Sequence, residues 1–289
     1  EIMFELGEID QPLLVFGGPY SNFAATAEIQ SRAQQLGIDA RRVICTGDVV
    51  AYCAEPCETI DLIRDWGIHV VMGNCEESLA YSEDDCGCGF EPGSECSVLA
   101  VTWYDYANRR VSPEQRQWMR ELPRRIDFSM EARDFCVVHA SLDSVNEFVF
   151  ASGDHAARQA QVRAAGVDAV IGGHSGIPFG QKLGDRYWLN AGVIGMPAFD
   201  GGSHGWYLLL QPTGTAVEAS WHRLVYDHVA SRESTIAAGM VAYGAALSTG
   251  LWPGIDVLPE TEALQSGQSL DLPPLQIEPA GAIPGQKAC

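Results

Sequence analysis

The chain has 289 residues, of which 46% are hydrophobic, and a formal net charge of −20 at pH 7. This length allows one large α/β domain or two smaller ones with a substantial core. The negative charge argues against nucleic acid as a partner, because phosphate contacts require clustered Lys and Arg. No apolar run approaches the ~20 residues of a membrane span, and the first ten residues show no signal-peptide pattern. We therefore expect a cytoplasmic protein with no membrane partner.

Short β-branched runs alternate with helical segments in the first quarter of the chain. The pattern predicts a strand over 12–16, a helix over 22–35, a strand over 42–46, a helix from Pro56 up to Gly67, and a strand over 69–72. This β-α-β-α-β order is typical of a parallel sheet that is covered by helices.

The remaining segments extend this α/β pattern. Residues 76–97 are polar, acidic and rich in Gly and Cys, which predicts a lid or insertion. Helices are predicted over 98–109, 113–122, 154–165 and 231–247, with strands around Asp127, around Val137 and over 167–171. Three further runs, 187–189, 206–210 and 216–226, are predicted to be successive strands of a second sheet. The composition shifts to Pro, Gly and acidic residues from 253, so we expect one domain over 1–252 and a disordered tail over 253–289.

Polar side chains follow four of the apolar runs at the points where they end. They are Asp48, Asn74, His139 and His174. Open sheets bind ligands beyond the carboxyl ends of their strands, so these four side chains are expected to converge at one edge of a sheet. One Asp, one Asn and two His form a mixed nitrogen and oxygen set that suits Zn, Mn or Fe. The sequence therefore predicts a metal site.

Nine cysteines are many for a cytoplasmic protein. Cys86 and Cys88 form a Cys-x-Cys pair, and Cys96 follows eight residues later, so the three could hold zinc or an iron–sulfur cluster. The spacing does not match the paired Cys-x-x-Cys of zinc ribbons. Free thiols, metal binding and a disulfide therefore all remain open for these cysteines.

The order of these motifs over residues 12–250 resembles the calcineurin-like metallophosphoesterase superfamily, specifically its small bacterial branch. The family pattern is Asp-x-His, Gly-Asp, Gly-Asn-His-Asp/Glu, a lone His and Gly-His-x-His. Residues 47–52 and 190–197 also look like family segments. The resemblance implies a four-layer α/β/β/α sandwich with two metal ions at the sheet edge.

The chain departs from this pattern mainly at one of the two implied metal sites. The positions for the first metal hold Gly18, Tyr20, Asp48 and Gly176, and only Asp48 matches the family ligand. The positions for the second metal hold Asp48, Asn74, His139 and His174, and all four match. Random loss would affect both sites, so this distribution favours a single retained metal ion, which would be Zn, Mn or Fe.

The resemblance therefore predicts a metal-dependent hydrolase that acts on a small phosphoester. The predicted catalytic residues are Asp48, Cys75 and His139, and the predicted substrate-binding residues are Tyr20, Asn22 and Asn74. Cys75 replaces the family's leaving-group His, and a thiol can be a metal ligand or a nucleophile but is a poor acid. The alternative is a weak or inactive protein of this fold that binds a metal or a phosphorylated ligand. A third hypothesis is a thiol or redox function; the substrate and the oligomeric state remain open.

Overall fold

The structure is a computed structural model that describes residues 2–278, and over this range the chain forms two six-stranded sheets flanked by helices. The strands are β1 (Met3–Glu8), β2 (Leu13–Phe16), β3 (Val43–Cys45), β4 (His69–Val70), β5 (Arg125–Met130), β6 (Arg133–Val138), β7 (Ala169–Gly172), β8 (Phe179–Leu183), β9 (Arg186–Asn190), β10 (Gly205–Pro212), β11 (Val217–Leu224) and β12 (Leu275–Ile277). The helices are α1 (Phe23–Gln35), α2 (Pro56–Trp66), α3 (Asn74–Tyr81), α4 (Glu95–Asn108), α5 (Pro113–Arg120), α6 (His155–Ala164), α7 (His228–Ala237), α8 (Val241–Thr249) and α9 (Glu260–Ala263).

The two sheets contain parallel and antiparallel strands. Sheet I has the order β12-β11-β10-β2-β3-β4, and its strands β2, β3 and β4 are parallel. Sheet II has the order β1-β5-β6-β7-β9-β8, and its strands β6, β7 and β9 are parallel. The helices α1 and α2 connect the parallel strands of sheet I, as the β-α-β-α-β pattern predicts.

Alternation along the strands explains the four layers. In β2, Leu13 and Val15 point into a core between the two sheets, whereas Leu14 and Phe16 point into a core under the helices. In β6, Val137 packs between the sheets and Cys136 packs in the third core, which contains Val162 of α6. Successive side chains on a strand face opposite sides, so a strand that is covered on both sides is apolar throughout. The fold is the α/β/β/α sandwich that the resemblance implies.

The prediction that the strand runs at 187–189, 206–210 and 216–226 share one second sheet is wrong. The run around Tyr187 is β9, which lies in sheet II between β7 and β8. The runs at 206–210 and 216–226 are β10 and β11, which pair antiparallel to each other and extend sheet I through β2. β1 and β8 were not predicted: most of β1 is exposed, so its sequence has no buried apolar run.

The predicted helix over 231–247 is two helices, α7 and α8. Gly239 interrupts them with a φ of +96°, which a helix cannot contain. None of the helices described over residues 2–278 combines the length and the apolar character needed to span a bilayer.

The predicted lid over 76–97 is only partly irregular. Helix α3 continues to Tyr81 and α4 begins at Glu95, which leaves 82–94 as the connecting loop. Helix α3 has eight residues and is buried on most sides, so it lacks the polar face that produces a helical period.

The predicted disordered tail needs correction for residues 253–278. Strand β12 pairs with β11 at the edge of sheet I, and Ile277 is fully buried between the sheets. Helix α9 precedes it. A short apolar strand is enough to order this segment because an open sheet edge offers unpaired backbone groups. The rest of the predicted tail, 279–289, lies outside the described residues.

Candidate metal centre

The four predicted ligands follow the ends of four strands and lie close together. Asp48 follows β3 and Asn74 follows β4, both in sheet I. His139 follows β6 and His174 follows β7, both in sheet II. The site therefore lies where the carboxyl ends of two facing sheets meet, whereas the sequence predicted the edge of one sheet.

The ligand atoms are close together and buried. The Nε2 atom of His139 lies 3.0 Å from Asn74 Oδ1, 3.2 Å from His174 Nδ1 and 3.3 Å from Asp48 Oδ2. His174 Nδ1 is 3.8 Å from Asp48 Oδ2. One carboxylate oxygen and one nitrogen of each histidine lie within 4.8 Å of one another. The sequence prediction of a convergent set is confirmed for Asp48, His139 and His174, and Asn74 lies beside them.

The hydrogen bonds around the site define which atoms face its centre. The Nδ1–H of His139 donates to the Thr46 carbonyl at 2.7 Å, so in the neutral ring Nε2 carries the lone pair. The Asn74 amide Nδ2 donates to the Cys86 carbonyl at 2.9 Å, which turns its Oδ1 towards His139. With His139 in this neutral form, lone pairs on Asn74, Asp48 and His139 converge. Such an arrangement is unfavourable without a cation between the atoms, so these residues fit a metal ion.

Glu76 is a buried carboxylate that fixes the conformation of this site, and no function was predicted for it from the sequence. Glu76 accepts backbone N–H bonds from Asp48 at 2.8 Å, Val49 at 2.7 Å and Gly73 at 3.0 Å. Asp48 has a φ of +56°, in the left-handed region that few non-glycine residues adopt. Glu76 is thus a positioning residue for Asp48. Glu76 is the last residue of the segment Gly73-Asn74-Cys75-Glu76, but its hydrogen-bond partners are visible only in the structure.

Burial and charge shift the pKa values of these side chains in different directions. Burial opposes ionisation of Asp48, but the adjacent His139 and His174 outweigh it and hold the pKa of the Asp48 carboxyl far below its usual range. Burial alone lowers the pKa of an imidazole, yet the Asp48 carboxylate raises the pKa of His139. Burial lowers the pKa of His174. Burial, and then the charge of Asp48, raise the pKa of Glu76 to about 7. These shifts favour an ionised Asp48 and a neutral His174, as metal binding requires, whereas a metal ion would have to compete with a proton for His139.

Cys75, predicted to be catalytic, lies beside the ligands as a buried thiol. Its backbone N–H donates to Asp48 Oδ1 at 3.3 Å, and its Sγ lies 3.4 Å from Asn74 Nδ2. Burial, and then the negative charges of Asp48 and Glu76, raise the pKa of Cys75 well above its usual value. The thiolate is the nucleophilic form, so these surroundings disfavour the predicted nucleophile.

Asn22, predicted to bind substrate, has a structural function. Its Nδ2 donates to the Gly195 carbonyl at 3.0 Å and to the Tyr226 hydroxyl at 3.1 Å. Its Oδ1 accepts from Ala25 N at 3.1 Å, where it caps α1, and from Ser231 Oγ at 2.7 Å. An amide side chain can form four hydrogen bonds, and all four are made within the protein. In this structure the Asn22 side chain therefore has no donor or acceptor left for a substrate.

Aromatic rings pack on Gly18 and Gly176, two of the positions where the resemblance implies the first metal's ligands. A Cβ atom on Gly18 would lie 2.5 Å from the Tyr20 ring, so that ring packs directly on this glycine. A Cβ atom on Gly176 would lie 3.0 Å from the ring of Trp252. Burial, and then the charge of Asp48, raise the pKa of Tyr20 well above its usual value, which keeps its hydroxyl protonated. The neutral phenol of Tyr20 is therefore favoured over the phenolate, which is the form that binds a metal.

The Cys-x-Cys motif forms a disulfide between Cys86 and Cys88. Cys96 is free, and its backbone N–H donates to Asp256 at 3.1 Å. Over residues 2–278, no cysteine belongs to a group of three or more side chains arranged to hold a metal ion. The loop cysteines therefore do not form the zinc or iron–sulfur site considered from the sequence. Cys289 lies outside the described residues.

Comparisons with known proteins identify the family and agree with the fold. A family model for the calcineurin-like phosphoesterase superfamily domain matches residues 21–213, which is more than half of the chain. The MJ0912 protein of Methanocaldococcus jannaschii is 24% identical over 230 residues, which cover 74% of this chain and 88% of that protein. The matched family region contains the Asp48, Asn74, His139 and His174 positions.

Two solved structures share the architecture. The metallophosphoesterase from Sphaerobacter thermophilus superposes with a TM-score of 0.65 and 20% identity, and the match covers 84% of this chain and all of that one (100%). The hypothetical protein PH1004 from Pyrococcus horikoshii OT3 also gives a TM-score of 0.65, with 14% identity over 90% of this chain and 99% of that one. At these identities the two structures show the fold alone.

Proposed function

The chain belongs to the calcineurin-like phosphoesterase superfamily, and on that premise we propose that it hydrolyses a small phosphoester with a single metal ion. The observation that carries this proposal is the convergence of four ligand atoms at the ends of two facing sheets. The ligands would be Asp48, Asn74, His139 and His174. Zn, Mn and Fe all accept this mixture of imidazole, carboxylate and amide ligands.

The site residues supply what such an ion requires. When bound, the ion would polarise a phosphoryl oxygen and lower the pKa of a bound water towards ~7. The Thr46 carbonyl fixes the His139 tautomer and increases the basicity of its Nε2. One ionised carboxylate, Asp48, leaves a divalent ion with a net positive charge, which attracts the anionic ester. The chain itself thus determines the geometry and the charge of the site.

The buried thiol at position 75 limits the range of substrates. A neutral Cys75 is a poor proton donor for an alkoxide leaving group, because its pKa is raised by burial and by neighbouring carboxylates. Esters whose leaving group departs without protonation avoid this requirement. We therefore expect activity on aryl phosphoesters in preference to alkyl ones.

Metal analysis tests this proposal directly. The wild-type protein should contain one equivalent of Zn, Mn or Fe, and His139→Ala should contain none, because it loses the nitrogen at the centre of the ligand set. Hydrolysis of bis(4-nitrophenyl) phosphate should disappear with chelator and return with added metal. His155→Ala removes an exposed histidine of α6 and is the matched control, with metal and activity retained. Metal and turnover that survive in His139→Ala would overturn the proposal.

The alternative function is a protein that binds a metal or a phosphorylated ligand without turnover. The observation that favours it is the replacement of the first metal's ligands by Gly18, Tyr20 and Gly176. A protein that retains one metal equivalent through His139, and yet hydrolyses no phosphoester, would support this alternative. Chelator-sensitive turnover would exclude it.

A further inference from the structure

A cavity adjoins the candidate metal centre on the side of His174. Its volume is about 70 Å³, and its walls include Tyr20, Tyr52, Leu99, Phe148, Tyr243 and Trp252. The residues that line it include no Lys, Arg, Asp or Glu. The cavity is therefore apolar and aromatic, although it lies beside a site suited to an anion.

The aromatic walls are held in fixed positions. The Tyr52 ring packs 4.7 Å from the Tyr20 ring and 4.7 Å from the Tyr243 ring, measured between centroids. The indole N–H of Trp252 donates to the Pro197 carbonyl at 2.7 Å. The Phe148 ring lies 4.5 Å from the imidazole of His174, so one wall continues directly into the ligand set. The cavity is preformed, which reduces the ordering that a ligand must impose.

We propose that this aromatic cavity binds a flat, uncharged aromatic group carried by the phosphoester. This inference rests on the proposed function and specifies its substrate class. Tyr20 occupies one position where the resemblance implies a ligand of the first metal, and the Trp252 ring packs on Gly176 at another, so the space beside the retained site presents aromatic rings. Aromatic rings favour stacked or edge-to-face contact with another ring.

Size and charge restrict the occupant. One bound water needs roughly 10–15 Å³ of cavity volume. A cavity of about 70 Å³ therefore holds about five non-hydrogen atoms, which is of the order of one ring. A dinucleotide does not fit within it. A charged group would lose its hydration among apolar side chains with no cationic partner, so the entering group is uncharged.

The expected reaction is consistent with this binding mode. A water oxygen bonds to phosphorus, the bond from phosphorus to the aryl oxygen breaks, and that oxygen leaves with the electron pair. One water proton passes to solvent. The aryl oxide is a stable leaving group and needs no proton from the protein.

Calorimetry with two phosphonates tests the inference, since neither can be hydrolysed. In the metal-loaded wild type, phenylphosphonate should bind about tenfold more tightly than methylphosphonate because only the phenyl ring fills the cavity. Leu99→Trp, on α4, should fill the cavity and bring the two affinities within about twofold of each other. Val98→Trp makes the same change at the adjacent residue, whose side chain is 63% exposed and outside the cavity, and should keep the tenfold preference.

A wild type that binds both phosphonates equally, or a folded Leu99→Trp that keeps the preference, would overturn the inference. Leu99→Ala serves as the second variant if Leu99→Trp does not fold. It should enlarge the cavity and shift the binding preference from phenylphosphonate towards 1-naphthylphosphonate, and an unchanged ratio of these two affinities would also overturn the inference. Phenol separates this inference from the proposed function. If phenol binds to the wild type and not to Leu99→Trp, but no phosphoester is hydrolysed, the cavity assignment is supported and the proposed hydrolase function is contradicted. If phosphoesters are hydrolysed without any preference for aryl groups, the hydrolase function is supported and the cavity assignment is contradicted.

Discussion

Glu76 is completely buried and yet determines the conformation of a ligand. Its two carboxylate oxygens accept three backbone N–H bonds, one of them from Asp48, whose left-handed backbone would otherwise be unfavourable. Three converging N–H donors stabilise a negative charge, whereas burial and the nearby Asp48 disfavour it and raise the pKa of Glu76. At the scale of residues, the site therefore depends on a side chain that is not itself a ligand.

Glu76→Gln should destabilise the protein and weaken metal binding. The new amide group places an N–H opposite one of the backbone N–H donors and leaves that donor unsatisfied, which costs about 1–3 kcal/mol. Urea unfolding in chelator measures the stability, and metal titration measures the affinity. Glu77→Gln is the matched control on the same helix, since its half-buried pair with Arg124 should contribute at most about 1 kcal/mol. Equal stability of the two variants would contradict the assignment of Glu76.

At the scale of elements, the turn after β3 brings sheet I to the ligands of sheet II. Gly47 has a φ of +99°, and a Cβ atom there would lie 2.7 Å from the Val71 carbonyl oxygen and 2.9 Å from His139 Nδ1. Any larger residue would push the two sheets apart at the metal centre. The turn thus needs glycine both for its backbone conformation and for the close approach of its neighbours.

Gly47→Ala should lower the melting temperature and abolish metal retention. Gly37→Ala is the matched control, because Gly37 also has a positive φ, +68°, but has nothing within 4 Å of an added Cβ atom. Both variants carry backbone strain of roughly 1–3 kcal/mol, and only Gly47→Ala adds a steric clash. We expect Gly37→Ala to retain its metal. A Gly47→Ala protein that matches Gly37→Ala in melting temperature and metal content would contradict this explanation.

At the scale of the whole molecule, the segment after α8 completes both the core and the cavity. Trp252 closes the cavity beside the metal centre, and Ile277 of β12 is fully buried between the sheets. Strand β12 pairs with β11, so this segment also extends sheet I. Its Pro and Gly content, which led to the prediction of disorder, is compatible with an ordered path over the surface of the domain.

Ile277→Ala should destabilise the whole domain by about 2–4 kcal/mol, because it removes a buried side chain and leaves a cavity between the sheets. Leu264→Ala, in the same segment, truncates a side chain that is 73% exposed and should change stability by less than about 0.5 kcal/mol. Urea denaturation followed by circular dichroism measures both. If both variants were as stable as the wild type, the segment would not belong to the folded domain.

The sequence alone was enough to identify the elements that depend on local patterns. The helix predicted over 113–122 is confirmed as α5, which begins with a capping box between Ser112 and Gln115 and has proline in its first turn. The apolar runs before Asp48, Asn74, His139 and His174 are confirmed as strands, because buried strands are apolar over their whole length. The ligand set itself followed from the motif order and its resemblance to a known family.

How these elements combine depends on contacts between residues that are far apart in the chain. Nothing local in 187–189 or 206–210 specifies which sheet the strand joins, since strand pairing depends on residues far away in the chain. Distant partners also explain why the functions of Glu76 and Asn22 could not be predicted. Glu76 binds backbone groups of two separate turns, and the Asn22 side chain is hydrogen-bonded to Gly195, Tyr226 and Ser231. The sequence therefore determined which side chains stand at strand ends, and long-range packing determined that they meet between two sheets beside an aromatic cavity.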